Sequence, residues 1–172
     1  MKEPCKLFLV GIILLLLDQL TKFLVRLFFQ PNATIPLIKN IFHLTFAQNT
    51  GAVFGTFHGT NSLLIWLAIM AIGFILYLWD QFPSTKCSRL FLVLILVGSI
   101  GNLIDRIFLG YVTDFLDFRI WPVFNLSDSM VSIGILGLVI AIILGDKKAQ
   151  KREPKALPPK KTINKKNSPK KR

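Results

Sequence analysis

Apolar residues gather in four runs, Leu7 to about Phe29, Leu63 to Trp79, Leu90 to about Phe108 and Met130 to Gly145, each 16 to 23 residues long. A helix needs roughly 20 residues to cross the hydrocarbon at about 1.5 Å per residue, so the pattern predicts four transmembrane helices. Lys2 and Lys6 precede the first run as they would in a secretion signal. No small-residue cleavage site follows, and Asp18, Lys22 and Arg26 recur at helical spacing, so this run reads as a retained helix. Between the first two runs, "TIPLIKNIFHLTFAQNTGAVFGTF" mixes β-branched and aromatic residues around a turn-like Asn49-Thr50-Gly51. That stretch predicts short strands within residues 35–57, with a tight turn, lying on the membrane surface.

Composition narrows the class. With 52% hydrophobic residues and a mean hydropathy of +0.56, the 172-residue chain is too apolar for a soluble domain. It reads as one membrane domain, residues 1–146, followed by a tail. The net charge of +12 does not point to nucleic acid, because residues 147–172 hold 12 of the 21 Lys and Arg. That tail has prolines and almost no apolar residues, so it is expected to be disordered and to rest on anionic lipid headgroups. Lys2, Lys6, Lys86, Arg89 and the tail fall on one side of the four spans, and Lys39 and Arg119 alone occupy the loops of the other. The positive-inside bias then makes both termini cytoplasmic and turns residues 30–62 and 109–127 outward. Cys5 and Cys87 lie near cytoplasmic helix ends and indicate no disulfide framework.

The chemistry concentrates where the third and fourth runs meet. "GYVTDFLDFRIWPVFNLSDSM" carries Asp114, Asp117 and Asp128 between two apolar runs. Each acid has an ordinary explanation: Asp128, directly after Ser127, can cap the fourth helix, and Asp114 and Asp117 can be loop residues. Yet a loop joining two helix ends at one face brings Asp114 and Asp128 together across only fourteen residues. Two carboxylates sharing one proton supply a base to activate water and an acid for the leaving group. Within the runs, Asp18 and Lys22 share a helix face, and Asn102, Asp105 and Arg106 cluster near the outward end of the third; both sets serve equally as interhelical ties or as parts of a site. His43 and His58 lack a ligand-spaced companion, so no metal site is read, and a Ser–Lys dyad of Lys22 with Ser127 or Ser129 stays open. A proton-coupled transporter and a scaffold built on the basic tail are the rival classes.

Five blocks in order, "DQLTK" (18–22), "NTGAVFG" (49–55), "GNLIDR" (101–106), "GYVTDF" (110–115) and "FNLSD" (124–128), resemble the bacterial lipoprotein signal peptidases, or signal peptidase II. The departures are mild: Val53 and Ser127 stand where alanine is usual, and Val97 where a glycine often precedes Gly98. The resemblance implies an all-α membrane protein of four transmembrane helices with a small extracytoplasmic β-sheet cradle, in the bacterial inner membrane. It implies an aspartyl endopeptidase that cleaves diacylglyceryl-modified prolipoproteins before the lipidated cysteine, without metal or organic cofactor. Carried over, Asp114 and Asp128 would be the catalytic pair and Asp117 only a neighbour. Asn49, Gly51, Asn102, Arg106 and Asn125 would line the site, with Asp18 and Lys22 supporting it from the first helix.

Overall fold

The apolar runs and the stretch between them fold into seven elements in the computed structural model, which describes residues 3–51, 60–82 and 85–150. In chain order these are α1 (Glu3–Phe28), β1 (Thr34–Ile38), β2 (Phe42–Asn49), α2 (Thr60–Tyr77), α3 (Lys86–Leu109), β3 (Val112–Asp117) and α4 (Leu126–Gln150), with one 3₁₀ turn at Trp79–Gln81. The basic tail beyond Gln150 and residues 52–57 of the predicted strand segment lie outside the described residues.

Three of the four predicted spans, Cys5–Phe28, Lys86–Leu109 and Leu126–Leu144, are long and apolar enough to cross a membrane. The apolar part of α2, Asn61–Tyr77, is shorter. At about 1.5 Å per residue it extends roughly 25 Å, a little under the roughly 30 Å hydrocarbon thickness. Outward-facing Leu, Ile and Phe cover α1, α2 and α4, as expected of helices solvated by lipid. α3 is the axis of the bundle: α1, α2 and α4 each pack on it, and twice as much of its apolar window is buried, 44% against 22% for α1 and α4.

Small residues set the close α3–α4 approach. A Cβ on Gly98 would meet the Ser127 carbonyl, and one on Gly134 would stand 2.6 Å from Ile95 and 2.8 Å from the Phe91 carbonyl. α3 starts at Thr85, whose hydroxyl accepts from the Ser88 N–H, and stops at Gly110, left-handed at φ 81°.

The sheet has the order β1-β2-β3, all antiparallel. The β1–β2 hairpin turns at Lys39–Ile41, where Asn40 takes φ 62°, and at the turn-like Asn49–Gly51, after β2, the Gly51 N–H donates to Asn49 Oδ1. One expectation changes here. Asp114 and Asp117 lie on a strand and not in a loop, with Ala47 opposite Asp114 and His43 opposite Asp117. β3 gives no alternating signal because both of its faces are covered, and its two aspartates are poor strand formers. Val25, Phe46 and Phe115 form a core that ties α1 to β2 and β3, so the sheet sits at the same bundle end as the start of α4.

Candidate active site

The site is built where α1 ends, α3 gives way to β3, and α4 begins. Asn125 caps α4: its Oδ1 accepts from the Asp128 N–H (2.9 Å), while Asp128 Oδ2 accepts from the Asn125 N–H (3.2 Å). This reciprocal capping box makes Asp128 the third helical residue, so the cap expected at Asp128 belongs to Asn125. The same Asn125 donates through Nδ2 to Asp114 Oδ1 (2.6 Å) and to Asn102 Oδ1 (3.1 Å). Asn102 then donates through Nδ2 to Asp128 Oδ1 (2.7 Å). The two carboxylates are thus joined through two carboxamides, Asp114–Asn125–Asn102–Asp128.

Asp114 is almost completely buried, while Asp128 is half-buried. The second oxygen of Asp114, Oδ2, accepts from Asn49 Nδ2 (2.9 Å). The Asn49 amide is oriented in turn by the N–H of Gly51, which donates to Asn49 Oδ1 (2.9 Å) from φ 71°. Burial pushes the Asp114 carboxyl up to about 6, and the Asp128 charge adds to the rise against the hydrogen bonds from Asn49 and Asn125. Asp128 faces a cavity of about 240 Å³, lined also by Ala68, Ser99, Asn102, Arg106 and Ser132. Among the described residues Arg106 Nε is buried without a hydrogen-bond partner, and its guanidinium lies in the field of Asp128, Asp114 and Asp105.

Beneath these groups lies a buried ionic cluster. Lys22, fully buried, reaches Asp18 Oδ2 (2.9 Å), Asn102 Oδ1 (3.0 Å), Ser127 Oγ (3.3 Å) and Asp105 Oδ2 (3.7 Å). Asp18 Oδ1 also accepts the Ser127 N–H (2.8 Å), which pins the start of α4 to α1. Two donors, from Lys22 and Asn125, converge on Asn102 Oδ1, so the Asn102 amide can turn only its NH₂ toward Asp128.

All nine candidate residues therefore fall in one region, and the ionic cluster adds four more to it. Asp105 Oδ2 accepts the Thr113 N–H (2.9 Å), and Arg26 donates to Thr113 Oγ1 (2.9 Å) while lying 3.7 Å from Asp105. These contacts lock the strand one residue before Asp114. Arg26 lies four residues after Lys22, and Asp105 sits inside the block containing Asn102 and Arg106, which is the signal that marks them. Thr113 and Ser127 lie inside the blocks GYVTDF and FNLSD, and Ser127 is the serine of the Ser–Lys alternative. Asp117 stands apart: it accepts from Thr45 Oγ1 (2.7 Å), the Arg119 N–H (2.9 Å) and Arg119 Nη1 (3.0 Å). Those bonds, Thr45's first, hold its carboxyl below the usual range.

Spanning helices with carboxylates, amides and a cavity gathered at one end define an integral membrane protein with an enzyme-like site. Two solved bacterial membrane enzyme structures, obtained by the in meso method at 1.9 and 2.3 Å, share the fold with a TM-score of 0.74 at 25% identity. They cover 80% and 87% of this chain and 92% and 93% of their own. The family model described as signal peptidase (SPase) II matches residues 10–144. The lipoprotein signal peptidase of Halothermothrix orenii is 46% identical over 133 residues, 77% of this chain and 92% of the relative. That of Moorella thermoacetica is 41% identical over 137 residues, 79% and 91% respectively. The chain belongs to the signal peptidase II family, and it is a protease.

Proposed function

We propose that the chain is an aspartic endopeptidase of the bacterial cytoplasmic membrane. It removes the signal peptide from prolipoproteins by cutting before a diacylglyceryl-modified cysteine. The observation that carries this reading is Asn125, which holds Asp114 by its side chain and Asp128 by its cap, so that two carboxylates share one amide frame beside a cavity. Asp128, at the cavity wall, takes a proton from water as the water attacks the scissile carbonyl. Asp114, whose carboxyl is pushed up to about 6, holds a proton more readily than an ordinary aspartate and in its protonated form delivers it to the departing amine. Arg106, which lines the cavity, holds a substrate backbone carbonyl. Asn49 and Asn102 keep the carboxylates aimed.

The reading extends to the membrane frame. α2 is the fourth span, slightly short and accommodated by local thinning of the bilayer. The basic residues before α1, between α2 and α3 and after α4 favour both termini in the cytoplasm, with the sheet and site at the outer face. The basic residues beyond Gln150 lie against anionic headgroups.

One contact favours a different nucleophile, since Ser127 Oγ lies 3.3 Å from Lys22 Nζ. Both side chains are fully buried, and Lys22 is pinned between Asp18 and Asp105, so neither meets a substrate. The deciding experiment is cleavage of a diacylglyceryl-modified prolipoprotein peptide by purified enzyme. Activity lost in Asp114→Asn and in Asp128→Asn but kept in Ser127→Ala supports the aspartic reading. The reverse pattern assigns the serine.

A further inference from the structure

Two turns meet at the end of the sheet farthest along β3. The β1–β2 hairpin turns through Lys39–Ile41. β3 runs into a loop closed by the bridge between Leu116 and Phe124. The turns are neighbours, because His43 lies opposite Asp117 and the Phe42 ring stands 4.8 Å from Phe118, which stacks on Phe124 at 5.9 Å. Both present apolar side chains outward: Ile41 is 59% exposed, Trp121 69% and Ile120 93%. Each also carries one base, and these, Lys39 and Arg119, are the only Lys or Arg in residues 30–62 and 109–127.

The loop is not slack. Arg119 sits at φ 65°, a region that costs a residue with a Cβ, and is held there by its N–H and Nη1 bonds to Asp117. Asp117 is fixed in turn by Thr45 on the next strand. A rigid loop that thrusts Ile and Trp outward beside basic residues is disfavoured in bulk water and suited to a lipid interface.

We propose that this end of the sheet is a lipid-docking surface. Ile120, Trp121 and Ile41 enter the boundary between headgroups and acyl chains on the membrane face that carries the site. Lys39 and Arg119 lie against the phosphates of anionic phospholipids, their aliphatic stems along the apolar patch. An indole, apolar with one polar N–H, matches that depth, and each base near an anionic surface strengthens the contact about fivefold, or about 1 kcal/mol. The docking does not depend on the peptidase reading. If that reading holds, docking has a use: Asp117 and Asp114 share β3 three residues apart, about 10 Å at the rise of a strand, so the anchored loop sets how far the dyad stands from the lipid-tethered cleavage point.

The test uses the full chain in vesicles of phosphatidylcholine and phosphatidylglycerol, with Trp66→Phe and Trp79→Phe leaving Trp121 as the fluorophore. The expected result is blue-shifted emission, quenched about twofold by lipids brominated at shallow acyl positions and shielded from iodide. Strong iodide quenching with no effect of brominated lipid overturns the proposal, whether the face is bare or covered by another protein. If the double variant does not fold, Cys5→Ser/Cys87→Ser/Ile120→Cys with a spin label replaces it: relaxation by oxygen above that by a water-soluble nickel complex supports docking, and the opposite order overturns it. Lys39→Gln/Arg119→Gln should remove the dependence of quenching on phosphatidylglycerol. Quenching in the parent protein that ignores phosphatidylglycerol overturns the assignment to anionic lipid.

Discussion

Asn125 and Lys22 each hold several residues of the site at once, and the substitutions that separate their roles from those of the aspartates are specific. Asp114→Asn and Asp128→Asn should each nearly abolish single-turnover cleavage, by about 10³-fold or more, and the double variant should be little worse, because a dyad acts as a unit. Asp117→Asn should keep most of the activity, since Asp117 is bonded to Thr45 and Arg119 and not to the amide relay. A dead Asp117→Asn that still binds substrate would show that the pair is misassigned. Lys22→Met should cost about 3 to 5 kcal/mol of stability, because it leaves Asp18 buried without its cation and removes one of the two cations beside Asp105. Ser127→Ala removes one 3.3 Å contact and should cost less than about 1.5 kcal/mol in a chemical-unfolding comparison. The residue types of the site were legible in the five sequence blocks. The direction of each amide was not, because it follows from contacts such as Lys22 to Asn102 that span 80 residues of chain.

Helices were legible from their apolar runs, whereas strand β3 was not: its covered faces and two aspartates erase the alternation that marks a half-exposed strand. The cap of α4 lies three residues before the expected Asp128 for a related reason, since both Asn125 and Asp128 suit a cap and only their reciprocal bonds decide between them. Packing between elements is testable through glycine. Gly98→Ala would drive a methyl group into the Ser127 carbonyl and should destabilise the α3–α4 contact by about 1 to 3 kcal/mol. Gly73→Ala, on α2 with nothing within 4 Å of the added carbon, should leave thermal stability unchanged or slightly raised. Equal melting temperatures for the two variants would argue against the close helix approach.

At the scale of the molecule, Asp114 links stability to pH. Its carboxyl titrates near 6 when folded and near 3.8 when unfolded, so between those values the folded state holds a proton the unfolded chain has lost. Stability from this group is therefore full below about pH 4 and declines by about 3 kcal/mol as pH rises through 6. Asp117 has the opposite sign: its contribution is present above its ordinary value and disappears as pH falls below it. Unfolding midpoints of the protein and of Asp114→Asn between pH 4 and 7 should show the decline in the first and a flatter curve in the second. The order in which the helices are made gives the ionic cluster a second meaning. α1 leaves the ribosome before α3 and α4, the helices against which its buried charges finally pack. Asp18 and Lys22 are four residues apart and 2.9 Å from each other within that one helix, so α1 carries its own counterion. Biosynthesis can therefore release α1 into lipid early and wait for its partners without stranding a bare charge.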